Sequence, residues 1–143
     1  MHHIREKIVL EKSHENEEMY LKAIWLLEED GIKPIHASEI AKLLRISLPS
    51  TTEMLKKLAK RGMLGYSGRG GVELKAKGRK IAEKIVRNLR LTEVLFRDVL
   101  KIDYESESVC RLEHAITDEV ALAVRKLLKN PEKCPHGKGI PAI

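Results

Sequence analysis

At 143 residues, with 43% hydrophobic and only 3% aromatic residues, the chain is long enough for one compact domain or two small ones with an aliphatic core, and too apolar for a disordered segment. No apolar run approaches the ~20 residues of a membrane span, the opening Met1-His2-His3-Ile4 leads into alternating charges rather than a signal peptide, and two cysteines make no disulfide framework, so a soluble, cytoplasmic protein with no membrane partner is expected. The net charge of +6 is concentrated in residues 56–90, which carry twelve basic and two acidic side chains, a net of +10; such a block suits a polyanion, although charge alone fits a solvated lysine-rich face equally well.

Apolar residues at 19, 20, 23, 24, 26 and 27 have helical spacing and predict a first helix over 14–29, ended by Asp30-Gly31 and the loop residue Pro34. A short helix follows over 38–44, with Ser38 as N-cap and Ile40, Leu43 and Leu44 on one face. After a turn over 45–49, a helix from about 49 to 61 has Pro49 in its first turn and Met54, Leu55 and Leu58 facing inward. Two extended pieces, 63–67 and 72–75, flank Gly68-Arg69-Gly70-Gly71, a glycine density that marks a tight hairpin. Residues 76–100 read as a long helix whose later half is apolar on more than one stripe, as in a linker helix packed against several partners or at a dimer interface. Helices are predicted over 107–115 and 117–129, the latter capped by Thr117 with acids in its first turn, and the tail 130–143, with three prolines and two glycines, is no helix. His2 and His3 read as incidental.

Helix, turn, helix and hairpin in this order make a mainly α fold with a small β-hairpin wing, the winged helix-turn-helix, in which a helix enters the major groove and the wing reaches flanking backbone. The DNA-reading end is expected at Ser38, Arg45, Ser47, Pro49, Ser50, Thr51, Thr52 and Glu53. Small hydroxyl side chains allow close approach, and Pro49 and the threonine methyls suit thymine methyls. Lys57, with Lys56 and Lys60, is placed for phosphate, and Arg69 at the wing tip for backbone or minor groove. Serines and threonines also simply cap helices, and a winged helix can serve as a protein-interaction module, so a metal-independent regulator or an interaction module remains as an alternative.

Cys110, Glu113 and His114 fall at i, i+3 and i+4, one face of the predicted helix. Thiolate, carboxylate and imidazole together suit a first-row transition metal; a core cysteine beside an ordinary Glu-His pair gives the same letters. A thiol nucleophile with His114 as base is a third reading, without an orienting group or oxyanion turn to support it, so no enzyme is expected.

The segments EEMYLKAIWLLEEDG (17–31), SEIAKLLRISLPSTTEMLKKLAKRGML (38–64), LKAKGRKIAEKIVRNLRL (74–91), CRLEHAITDEV (110–120) and CPHGKGIP (134–141) in this order resemble the diphtheria-toxin-repressor family of metal-dependent transcriptional regulators, over nearly the whole chain. The resemblance implies a winged-helix DNA-binding domain over 1–75 and a helical metal-binding and dimerisation domain over 76–143. It also implies a homodimer on double-stranded, palindromic operator DNA and repression of metal-homeostasis genes. Met19 is implied as a metal ligand beside Cys110, Glu113 and His114. Thioether and thiolate donors favour Fe²⁺, Co²⁺, Ni²⁺ or Zn²⁺ over Mn²⁺, and Fe²⁺ is the expected effector. The family's ancillary site would fall at Glu93 but has Leu89 where a histidine is expected; Glu105 and Glu107 are the acids left to replace what is missing, so an altered or absent site is expected. Cys134 and His136 are expected to serve docking or structure, with metal as the lesser reading. The sequence also reads as a short form without the SH3-like domain of some members.

Overall fold

The computed structural model describes the backbone of residues 2–142 and the side chains of residues 16–142; His2 and His3 lie outside the described side chains. The elements are α1 (His2–Glu29), α2 (Ala37–Leu44), α3 (Leu48–Lys60), β1 (Leu64–Ser67), β2 (Gly71–Leu74), α4 (Ala76–Leu95), a π-helical turn (Phe96–Leu100), α5 (Glu107–Ala115) and α6 (Asp118–Leu127). This is the expected mainly helical, winged arrangement. Among the described residues no helix is long and apolar enough to cross a membrane. The chain divides into two compact units, Met1–Ala82 and Glu83–Ile143.

In the first unit, α1, α2, α3 and the hairpin enclose an aliphatic core that includes Leu21, Ile24, Ile40, Leu55, Leu58 and Leu64. α3 begins where expected: Ser47 is the N-cap, its hydroxyl accepting from the Ser50 amide, and Pro49 occupies the first turn, where a missing N–H costs nothing. Ser38 corrects the expected cap of α2. The N-cap is His36, without a side-chain cap bond, and Ser38 lies exposed inside the first turn. Arg45 closes α2 with φ of 56°, a left-handed conformation uncommon for a residue with a Cβ.

The hairpin strands pair Leu64 with Leu74 and Ser67 with Gly71, leaving Gly68, Arg69 and Gly70 at the tip. A single bridge from Ile35 to Val72 adds an edge to the wing. Gly71, with φ of +80°, lets the chain pass so close to Ile35 that an added Cβ would lie 2.5 Å from the Ile35 carbonyl oxygen. α4 then departs over the loop before β1, where Gly78 meets the Met63 carbonyl.

In the second unit, α4 does not continue to residue 100 as a plain α-helix: a π-helical turn follows Leu95 and ends at Lys101, with φ of 56°. Its buried surface is also less apolar than its leucine-rich sequence implies, since Arg87, Asn88, Arg90, Thr92 and Glu93 are all buried. α6 starts on the expected cap, the Thr117 hydroxyl accepting from the Val120 amide. The tail is ordered. Lys133 bridges to Gly139, the Cys134 amide donates to Lys138, and Arg90 donates to the Gly139 carbonyl at 2.6 Å.

Candidate metal centres and DNA-binding face

α5 carries the first donor cluster. One ligand atom from each of Cys110, Glu113 and His114 lies within 4.8 Å of the others. Glu113 is fully buried, the His114 side chain is 3% exposed, Cys110 is half-buried, and His114 Nε2 stands 3.4 Å from Glu113 Oε1. Sulfur, oxygen and nitrogen donors converging at low exposure fit a divalent first-row transition ion. Three ligands from one short helix leave coordination positions to be filled from elsewhere. Met19 is half-buried on α1 in the first unit.

A second cluster joins Glu93 of α4 to Cys134 and His136 of the tail, again with ligand atoms within 4.8 Å of one another. His136 Nδ1 faces Glu93 at 3.1 Å and Nε2 faces Glu105 at 2.9 Å, while its ring forms a T-shaped pair with Tyr104. Burial pushes the Glu93 carboxyl above its usual range; His136 and Arg90 work against this, and Glu113 and Glu105 add to it. Glu107 does not join the cluster. It is solvent-exposed and pairs with Arg111 one turn along α5 at 3.1 Å, which corrects its expected place at a remnant ancillary site. In the sequence Glu93 is marked, but its expected partners lie upstream of Cys110. The usable signal was the Cys134-Pro135-His136 spacing; the bridge between Lys133 and Gly139 closes that loop, and the hydrogen bond from Arg90 to the Gly139 carbonyl ties it to α4.

On the first unit, α3 presents Pro49, Ser50, Glu53, Lys56, Lys57 and Lys60 to solvent, and Arg45 and Arg69 are exposed in the turn and at the wing tip. Thr51 corrects the expected set of DNA readers: it is fully buried and its hydroxyl donates to the Ser47 carbonyl. Thr52 is half-buried and donates to the Pro49 carbonyl, leaving only acceptor capacity. Ser47 donates to the Ser50 hydroxyl, whose own proton stays available. Leu48, outside the predicted set, is 48% exposed at the first position of α3; in the sequence it falls in the turn expected over 45–49. Glu17 of α1 pairs with Arg61 and stands 3.6 Å from Lys57, so α1 shares the cations at the end of α3.

A winged helix-turn-helix unit followed by a helical unit with two nitrogen, oxygen and sulfur donor clusters defines a class of DNA-binding proteins with metal-type sites. The chain belongs to the iron-dependent repressor family: residues 12–72 match its N-terminal DNA binding domain, and residues 75–142 its metal binding and dimerisation domain. It is 36% identical over 128 residues to the iron-dependent repressor IdeR of Mycobacterium leprae, covering 88% of this chain and 55% of that protein. Its fold is similar to that of the manganese regulator SloR, with a TM-score of 0.78 at 34% identity, covering 88% of this chain and 59% of that one. The structure of ScaR with bound Zn²⁺ gives a TM-score of 0.74 at 36% identity, with the same coverage of 88% and 59%. The chain thus spans little more than half the length of these relatives.

Proposed function

We propose that this protein is a metal-dependent DNA-binding repressor of metal-homeostasis genes, acting as a homodimer on palindromic operator DNA with Fe²⁺ as effector. The observation that carries the reading is the convergence of Cys110, Glu113 and His114, in a chain that matches both the DNA-binding and the metal-binding parts of one repressor family. Cys110, Glu113 and His114 supply three donors and Met19 a fourth, as the family resemblance implies. A bound divalent cation supplies positive charge and fixed ligand directions at this centre. The thiolate and thioether favour iron over manganese, even though the manganese regulator SloR shares the fold. Glu93, Cys134 and His136 form a second centre, with Glu105 orienting the outer imidazole nitrogen as such partners commonly do.

DNA is read by Ser47, Leu48, Pro49, Ser50, Thr52 and Glu53, with Ser38, Arg45, Lys57 and Arg69 on the phosphates. With most hydroxyls engaged inside the helix, the apolar Leu48 and Pro49 are suited to thymine methyls. A second copy of the chain covers exposed apolar residues of the second unit, among them Val99, Ile102, Val120 and Leu122, each at least 44% exposed. The effector acts only through its differential affinity for the DNA-competent state.

The test is an electrophoretic titration on the promoter of the protein's own gene with Fe²⁺, Mn²⁺, Zn²⁺ or chelator. Binding strengthened by Fe²⁺ and weakened by chelator supports the reading; equal binding with chelator would replace it with a metal-independent regulator. Met19→Ala and His114→Ala variants should need more Fe²⁺ to bind DNA, and a parental Fe²⁺ response in both would remove these residues from the centre. Turnover of an electrophile abolished by Cys110→Ser would instead favour a thiol enzyme.

A further inference from the structure

We propose that Asn88 of α4 is a positioning residue for the metal centre on α5, holding the backbone of its ligand-bearing turn through two carbonyl oxygens. The inference rests on the reading of Cys110, Glu113 and His114 as metal ligands. Asn88 is buried, and its amide nitrogen donates to the carbonyls of Glu113 and Ile116, each at 3.0 Å. One acceptor is the backbone of a ligand residue, and the other lies two residues beyond His114. Both amide protons of Asn88 are therefore committed to the end of α5, where helix carbonyls have no partner within the helix.

The Asn88 amide is itself clamped. Its oxygen accepts from Arg87 Nε at 3.1 Å and from Arg87 Nη2 at 3.0 Å, which sets which end of the amide faces α5. The buried Arg87 guanidinium in turn pairs with Asp118, the first residue of α6, at 2.9 Å, and Lys84 reaches the other oxygen of that carboxylate at 2.9 Å. The chain of contacts runs from α6 through Arg87 and Asn88 to Glu113. It closes the α5–α6 corner onto α4 from both sides. Since Glu113 and His114 are consecutive and Cys110 is one turn earlier, a rotation of this last turn would move the carboxylate and the imidazole relative to the thiol. Groups that orient metal ligands in this way typically change metal affinity ~10–100-fold when removed.

A merely structural helix cap predicts something else: lower stability of the metal-free chain with an unchanged centre. Cobalt(II) titration of the full chain separates the two, in a Cys134→Ser background so that Cys110 is the one thiol. The parent should show a thiolate-to-cobalt charge-transfer band that Cys110→Ser abolishes; absence of the band in the parent would overturn the reading of the centre itself. Given the band, Asn88→Ala should weaken cobalt binding about tenfold or more and shift the ligand-field bands. Asn88→Ser, which keeps one donor and guards against a variant that fails to fold, should fall between. Thr92→Val serves as the structural control: Thr92 is buried and its hydroxyl bonds the Asn88 backbone carbonyl at 2.6 Å. It should lower the melting temperature in chelator and leave the cobalt spectrum parental. A parental spectrum and affinity in both Asn88 variants, or an equal spectral shift in Thr92→Val, would overturn the proposal.

Discussion

Single side chains here are decided by what lies within a few ångströms of them. Gly78 sits inside the first turn of α4, where helix propensity alone favours alanine by about 1 kcal/mol. A Cβ at that position would lie 2.1 Å from the Met63 carbonyl oxygen, and the obstacle is backbone, which cannot swing aside. Gly78→Ala should therefore destabilise by about 1–3 kcal/mol in urea unfolding, and a stabilised variant would show that the close approach relaxes cheaply. Asp118 gives a prediction in pH. Hydrogen bonds from Arg87 and then Lys84 hold its carboxyl below the ordinary 3.8. A carboxyl lowered by folding stabilises at pH above its unfolded value and loses that contribution as pH falls through the folded one. The gap in melting temperature between the parent and Asp118→Asn, open near neutrality, should close below pH 3.8. A gap that stays constant into acid would assign the loss to packing.

At the scale of elements, the proposed reading divides DNA binding between the wing and α3. Arg69 stands exposed at the tip of a hairpin whose strands are pinned by the Leu64–Leu74 pair and the bridge to Ile35. As a phosphate contact, it should weaken binding alike on all sequences when changed to alanine and lower the salt slope by about one. Loss confined to particular base pairs would move Arg69 to the base edges. The tail is an element of its own, tied to α4 by Arg90 and to α6 by Arg125. Replacing both Cys134 and His136 with alanine should reduce the metal bound per chain from two ions to one, read by equilibrium dialysis. Unchanged stoichiometry would leave the tail a structural strap.

For the whole molecule, the apolar residues left exposed on the second unit, with Ile102 at 54% and Leu122 at 44%, lead to a prediction about assembly. Leu122→Glu should shift the chain from dimer to monomer in sedimentation, because a buried unpaired charge at an interface is costly; a monomeric parent would dissolve the reading. The helices, the hairpin and their order were legible in the sequence, because apolar spacing and glycine and proline placement are local properties of the chain. The α5 cluster was legible for the same reason, three candidate donors falling on one turn of one helix. Burial of polar residues was not. Thr51 reads as a surface hydroxyl and is core, no pattern in the sequence singles out the buried Asn88, and Glu107, an acid left to replace a missing partner at the altered site, is exposed to solvent. Tertiary packing alone brought Glu93 to Cys134 and His136, 41 and 43 positions along the chain. Periodicity tells which face of an element is apolar, but not which distant segment will cover it, and a site assembled across that distance exists only once the tail has folded back onto α4.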